Sequence, residues 1–138
     1  RRRDLVFASV GDASVHSMWG AGPSHSSHID LCLVYYGDHR GRFVQDASPG
    51  LYLERRGPKF ANFVAALEAL PALAEYDAVW LADDDVRLGP AGVAELFRVL
   101  HAGRLWALQP AFAAGSDVSH GITRQQTAGE GEGEGEGG

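Results

Sequence analysis

The sequence predicts an α/β fold with a mostly parallel sheet and helices on both faces. Its apolar runs are continuous rather than alternating, which is typical of strands buried on both sides. These runs are interleaved along the chain with segments of helical periodicity. The chain of 138 residues is long enough for one domain with a real core, which we place at residues 1–125.

Five apolar runs are predicted as strands. Turn residues bound most of them, and the first two end in Gly-Asp pairs. They cover residues 5–10, 29–36, 51–53, 78–82 and 105–108. Residues 13–28 are rich in Ser, Gly and His and predict a loop, with a helical turn near 15–19.

Two helices are predicted, each opened by a proline at a first-turn position, Pro58 and Pro90. We expect the first to end near Pro71 and the second at Gly103. Their apolar residues recur at helical spacing and predict the inward faces. These are Phe60, Phe63, Val64, Leu67 and Leu70, then Val93, Leu96, Phe97 and Leu100. Trp80 and Trp106 are predicted to be core residues.

Composition excludes several classes of protein. The net charge is −6, and four glutamates of the Gly/Glu-rich segment 126–138 supply most of it, which leaves −2 for the rest. A nearly balanced body offers no broad basic face, so we expect no nucleic-acid partner. The Gly-Glu repeats cannot bury surface and are predicted to be a disordered tail. The single cysteine, Cys32, excludes an internal disulfide framework.

No apolar run approaches the length of a membrane span, so no membrane segment is predicted. The opening Arg1-Arg2-Arg3 resembles the charged flank of a signal or anchor segment, although it would equally suit a cut at a domain edge. Localisation therefore stays open between the lumen of the secretory pathway (Golgi) and the cytoplasm.

Three consecutive aspartates, Asp83, Asp84 and Asp85, close the fourth predicted strand. Like charges side by side repel one another, and a divalent cation would neutralise them. Asp83 and Asp85 lie two apart and would point the same way in an extended backbone. Carboxylate oxygens suit Mg²⁺ or Mn²⁺, which often keep positions for phosphate oxygens. The alternative is a polar loop with one aspartate capping the next helix.

Other polar residues are expected at the same edge of the sheet. Asp12 and Asp38 follow the first two strands, although Gly-Asp pairs also form ordinary turns. Arg55 and Lys59 lie at the start of the first helix, where a cation opposes the helix dipole and instead favours a bound anion such as phosphate. Solvation, or pairing with nearby acids, would explain them equally well. His120 follows the last predicted strand and is a possible further member.

Five blocks of the sequence, in order, resemble a family known as domain of unknown function 707. They are residues 5–12, 30–38, 54–60, 76–85, and the late pair Gln109-Pro110-Ala111 and Ser119–Thr123. The resemblance spans about residues 4–125. That family is similar to nucleotide-sugar glycosyltransferases of the GT-A type. The resemblance thus implies a GT-A-like nucleotide-binding half and an Asp-x-Asp motif that holds Mn²⁺ or Mg²⁺ against the donor diphosphate.

Carried over to this chain, the resemblance makes Asp85 the main metal ligand. Asp83 or Asp84 would touch ribose, sugar or a metal-bound water. Val10, Gly11 and Asp12 would face the nucleotide base. From charge alone we expect Arg55 and Lys59 to meet the sugar or diphosphate. The acceptor, the catalytic base and the stereochemical outcome are not indicated.

Three alternatives accompany the glycosyltransferase expectation. About 43 residues follow Asp85 before the Gly-Glu repeats, so the acceptor side is expected to be short, which favours a non-catalytic nucleotide-sugar-binding module or a fragment. A structural domain with solvated acids is the second. A haloacid-dehalogenase-like phosphatase is set aside, because it needs Thr or Val where Arg87 stands and a lysine downstream of the aspartates, whereas Lys59 lies upstream.

Overall fold

The structure is a computed structural model that describes residues 2–110. Four parallel strands form one sheet in the order β3-β2-β1-β4. They are β1 (Asp4–Val10), β2 (Ile29–Tyr35), β3 (Tyr52–Glu54) and β4 (Ala78–Asp83). Two α-helices follow β3 and β4, α1 (Lys59–Ala69) and α2 (Pro90–Ala102). The α/β class and the parallel sheet are thereby confirmed.

The chain divides into two compact units after Phe97. The whole sheet and α1 belong to the first unit. Two short 3₁₀ helices, His16–Trp19 and Pro71–Glu75, complete its regular structure. The first of these confirms the predicted turn in the loop after β1.

The face of the sheet that carries α1 holds the main apolar cluster. Leu5 and Phe7 of β1 pack there with Cys32 and Val34 of β2 and with Ala66 of α1. The register pairs Phe7 with Cys32 and with Leu81, so alternate residues of three strands share this face. Burial of these side chains drives the docking of α1 onto the sheet.

The opposite face is covered by the segment after β1. Trp19 is fully buried, and its ring lies 5.2 Å from that of Trp80, which is half-buried on β4. Gly20 follows with a φ of 70° and lies against Pro90 at the start of α2. A side chain at Gly20 would collide with that proline, so glycine is required there on two counts.

The predicted inward face of α1 is wrong in part. Phe60, Val64 and Leu67 are exposed, whereas the buried residues of the helix are Asn62 and Ala66. The helix is rotated because the Asn62 amide makes hydrogen bonds beneath it, to Ser9 and other groups described below. Phe63 and Leu70 still pack against the cluster, as expected.

In α2 the apolar pattern is confirmed at Val93 and Phe97, which are both buried. The fifth predicted strand is wrong. Leu105 instead donates its backbone N–H to the carbonyl of Leu100, 3.0 Å away, in a helix-terminating turn. Arg104 holds the left-handed position of that turn with a φ of 50°.

Trp106 follows the turn and is fully exposed, at 103% of its reference area, so its prediction as a core residue is also wrong. His120, the predicted domain end at residue 125 and the segment 126–138 lie outside the described residues. Within residues 2–110, neither helix has the length and hydropathy that a membrane crossing requires.

The Cys32 thiol should be inert in the folded protein. Burial raises its pKa to about 12, so almost no thiolate forms at neutral pH. We expect a thiol reagent at about pH 8 to modify Cys32 only after unfolding in urea. The measurement is the rate at which the reagent labels Cys32 with and without urea. Fast labelling of the native chain would contradict the burial of this side chain.

Candidate functional site at the carboxyl edge of the sheet

The strand order reverses between β1 and β4, and we call the region outside the carboxyl ends of these two strands the crevice. From β1 the chain moves to β2 and β3 on one side, and then returns to place β4 on the other. In open parallel sheets, ligands bind outside the carboxyl ends of strands at such a reversal. Val10 and Gly11 end one flank of this crevice, and Asp83 ends the other.

The strand ends at Asp83, and the two aspartates that follow do not continue it. Asp84 and Asp85 form a turn in which the Val86 N–H donates to the Asp83 carbonyl at 3.2 Å. The expectation that Asp83 and Asp85 point the same way by strand alternation is therefore wrong. The turn is fastened from the other side of the sheet, because Trp19 Nε1 donates to the Val86 carbonyl at 2.8 Å.

Asp84 joins the ends of three strands. Its Oδ2 accepts the Gly11 N–H at 2.9 Å and the Tyr36 hydroxyl at 3.0 Å. Tyr36 follows β2, so its ring must cross the end of β1 to reach β4. A Cβ on Gly11 would lie 2.6 Å from the Tyr36 hydroxyl oxygen, so glycine makes this crossing possible.

Burial and the hydrogen bond that Tyr36 donates to Asp84 raise the pKa of Tyr36, and the charges of Asp85 and Asp12 add to this. Tyr36 is thus a neutral donor in a field of three carboxylates. Sequence reasoning did not single it out, because a tyrosine at the end of an apolar run resembles any other strand residue.

Asp12 faces the segment that follows β2. Its Oδ1 accepts the Tyr35 hydroxyl at 2.5 Å, and the side chains of Arg42 and His39 lie 3.4 and 3.5 Å away. The Tyr35 bond, followed by the Arg42 charge, holds the pKa of Asp12 below its ordinary value. Asp38 pairs with Arg56, and both side chains are largely exposed.

The two predicted cations lie on the α1 side of the crevice. Lys59 opens α1, and its Nζ lies 2.7 Å from Asp83 Oδ1. Arg55 donates to Asn62 Oδ1 at 2.6 Å, while Asn62 Nδ2 donates to Ser9 Oγ at 2.8 Å. The fully buried Asn62 therefore joins β1, α1 and Arg55, a role that the sequence did not reveal.

Asp85 differs from the other aspartates of this edge. Within residues 2–110 its carboxylate makes no hydrogen bond or ion pair, and its side chain is exposed. The same residues contain no group of three or more His, Cys, Asp or Glu side chains arranged to hold a metal. A divalent ion held here by Asp85 and Asp83 would have its other positions open to water and phosphate oxygens, as is common for Mg²⁺.

The structure thus places Val10, Gly11, Asp83, Asp84 and Asp85 at the adjacent ends of β1 and β4, with Lys59 paired to Asp83. Asp12 and Asp38 lie on loops after β1 and β2, each with protein partners. Arg55 is exposed but is held by Asn62.

The tyrosines of this chain should titrate abnormally. The chain has four, and burial with carboxylate hydrogen bonds raises the pKa of Tyr35 and Tyr36, and of Tyr52 and Tyr76 to about 12. Because folding raises these pKa values, the tyrosine hydroxyls contribute fully to the free energy of unfolding below about pH 10. This contribution is lost as the pH rises towards 12.

We expect phenolate absorbance to show no tyrosine titrating near pH 10 in the native protein, and all four doing so in urea. The Tyr76→Phe variant should remove one of the late transitions. A native tyrosine with an ordinary titration would contradict the hydrogen bonds described above.

Comparison with models of protein families, with curated proteins and with solved structures gives no match for this chain. Any function must therefore be argued from the crevice itself.

Proposed function

We propose that this chain binds a nucleotide-sugar donor through its diphosphate and a divalent ion, Mn²⁺ or Mg²⁺, as a glycosyltransferase of the GT-A type. The observation that supports this most is the exposed and unpaired Asp85 carboxylate at the reversal of strand order. Asp83 ends β4 two residues earlier, with the ammonium group of Lys59 at 2.7 Å. Carboxylates and a cation around one crevice suit a metal-bound diphosphate.

Each group has a distinct role in this proposal. Asp85 and Asp83 would hold the metal, which would supply positive charge beside the nucleoside diphosphate leaving group. Lys59 leaves Asp83 and meets a phosphate oxygen, and Arg55 lies on the same side of the crevice for the sugar or phosphate. An acceptor hydroxyl would attack the anomeric carbon as the bond from that carbon to the diphosphate breaks. The hydroxyl proton would pass to a general base.

The end of β1 receives the nucleoside. In this proposal the base faces Val10 and Gly11, beside the Tyr36 ring that lies over Gly11. Asp84 positions this backbone by accepting the Gly11 N–H. The Asp12 carboxylate would bind ribose hydroxyls. The proposal also includes Asp38 and His120 as contacts of the sugar or acceptor.

A specific observation favours the alternative of a non-catalytic binding module. An inverting transferase needs a carboxylate base for the acceptor hydroxyl. Within residues 2–110, Asp12, Asp38, Asp83 and Asp84 at this edge all bind protein groups, which leaves Asp85 for the metal. Donor binding without turnover would follow if no further base is supplied.

Calorimetric titration of UDP and then GDP, with Mn²⁺ or with EDTA, tests donor binding. We expect metal-dependent binding that falls about 10-fold in Lys59→Gln, since one charge-assisted contact is lost. Arg3→Gln is the matched control, because Arg3 pairs with Glu75 near the opposite end of β1. Failure of both nucleotides to bind would overturn the proposal, and release of free sugar from a donor would separate the enzyme from the binding module.

A further inference from the structure

A second polar cluster lies beside the segment that follows β1. It joins Ser14, His16 and Asp46 in a chain of hydrogen bonds. Ser14 Oγ lies 2.8 Å from His16 Nδ1, and His16 Nε2 lies 2.8 Å from Asp46 Oδ2. The imidazole is only 3% exposed, whereas Ser14 and Asp46 are partly exposed. None of these residues has a role in the proposed donor site.

The partners orient the imidazole. A carboxylate accepts hydrogen bonds and has none to give, so His16 Nε2 carries the proton that faces Asp46. In the neutral tautomer with this proton, Nδ1 accepts a hydrogen bond from the Ser14 hydroxyl. A hydroxyl that donates to a neutral imidazole, itself oriented by a carboxylate, is the arrangement that activates serine nucleophiles.

Packing holds the imidazole in this orientation. The ring of Phe43 lies 4.6 Å from it at 81°, and that of Trp19 lies 6.4 Å away at 65°. An imidazolium formed here would keep Asp46 at 2.8 Å as its counter-charge. Proton transfer from Ser14 to His16 therefore creates a compensated pair rather than an isolated buried charge.

Ser14 itself is partly exposed, so a reagent can reach its hydroxyl. Its backbone N–H donates to the Gly11 carbonyl at 3.2 Å, and the next residue, Val15, donates to the Asp84 carbonyl at 2.8 Å. The serine is therefore held on a fixed loop at the carboxyl edge of the sheet.

We propose that Ser14 is a nucleophile towards carboxylic esters, with His16 as its base and Asp46 as the residue that positions that base. Ser14 Oγ forms a bond to the ester carbonyl carbon while His16 Nδ1 takes the hydroxyl proton. The ester C–O bond then breaks, and the departing alkoxide takes the proton from His16. Water attacks the acyl-serine by the same route in reverse and releases the carboxylic acid.

The test is covalent labelling of the intact protein with diisopropyl fluorophosphate, followed by mass measurement and mapping of the modified residue. We expect one adduct, on Ser14, that disappears in Ser14→Ala. Ser17→Ala is the matched control, since Ser17 is an exposed neighbour that lines a cavity of about 170 Å³ beside His16 but has no bond to the imidazole.

The variant Asp46→Asn keeps the shape of the cluster but reverses the preferred protonation of His16. We expect the labelling rate to fall by at least about 100-fold, as for the loss of a general base. Hydrolysis of p-nitrophenyl acetate should fall in parallel. No adduct on the folded wild-type protein, or equal labelling of wild type and Asp46→Asn, would overturn the proposal and leave the cluster a structural support.

Discussion

The Asp85→Ala variant should lose metal-dependent nucleotide binding while its fold stays intact. Asp85 has no protein partner within residues 2–110, so its removal breaks no described contact. It also relieves repulsion from Asp83 and Asp84. We expect at least about a 100-fold loss of nucleotide affinity in Mn²⁺, which corresponds to about 2.7 kcal/mol. Calorimetry measures the affinity, and urea denaturation measures the free energy of unfolding.

The control for this prediction is binding in EDTA, which should be equally weak in the wild type and in Asp85→Ala. Unchanged affinity of the variant in Mn²⁺ would contradict the assigned role of Asp85. A large loss of stability would contradict its description as a residue without structural partners.

The Asp84→Ala variant should behave in the opposite way. Asp84 accepts two hydrogen bonds, from the Gly11 N–H and the Tyr36 hydroxyl, and so joins the ends of β1, β2 and β4. Loss of hydrogen bonds to a charged acceptor should lower the free energy of unfolding by about 2–3 kcal/mol. Urea denaturation of Asp84→Ala beside Asp85→Ala gives the comparison.

Asp84→Asn is the matched variant, because its amide oxygen can still accept one of the two bonds. We expect its stability to lie between those of the wild type and Asp84→Ala. Equal stability of Asp84→Ala and Asp85→Ala would show that the bridge over Gly11 contributes nothing to the fold.

The strands were predictable because a continuous apolar run can be buried on both faces of a parallel sheet and has few other stable places. The edge that carries the candidate site was predictable from the strands, because the carboxyl ends of parallel strands all lie at the same edge of the sheet. The sequence could not show which of two neighbouring aspartates supports the fold and which makes no hydrogen bond or ion pair within residues 2–110. Asp84 and Asp85 are chemically identical, and only the position of Tyr36 over Gly11 shows which of them faces inward.

The orientation of α1 was mispredicted for a related reason. Hydrophobic periodicity assigned Phe60 and Val64 to the core, whereas the helix buries Asn62. A single polar side chain decides the rotation because its hydrogen bonds, to Ser9 and Gly57 among others, would otherwise be lost in a buried place. Periodicity counts apolar residues and cannot detect such a network.

The predicted strand at 105–108 failed because a short apolar run has no intrinsic structure. The backbone N–H of Leu105 is used to end α2, which removes it from any ladder. The prediction also placed the helix end at Gly103, whereas Arg104 takes the left-handed position. Local capping geometry thus prevailed over hydrophobic pattern.

The exposed apolar residues of α1 and Trp106 remain without an assigned role. Phe60 is 64% exposed and Val64 is 54% exposed. Nothing in the donor-site proposal uses them, and the Asp85 and Asp84 predictions do not depend on them.

The most direct measurement of the central claim is paramagnetic broadening of backbone amide signals by Mn²⁺, recorded with and without UDP or GDP. We predict that the amides of Gly11 and of residues 83–85 broaden only when a nucleotide is present, and that this broadening is absent in Asp85→Ala. The four glutamates at positions 130, 132, 134 and 136 serve as a control for nonspecific attraction of the metal to acidic residues. Broadening of their amide signals should not require a nucleotide. Nucleotide-dependent broadening elsewhere, or none at Gly11 and residues 83–85, would contradict a metal-diphosphate site at this edge.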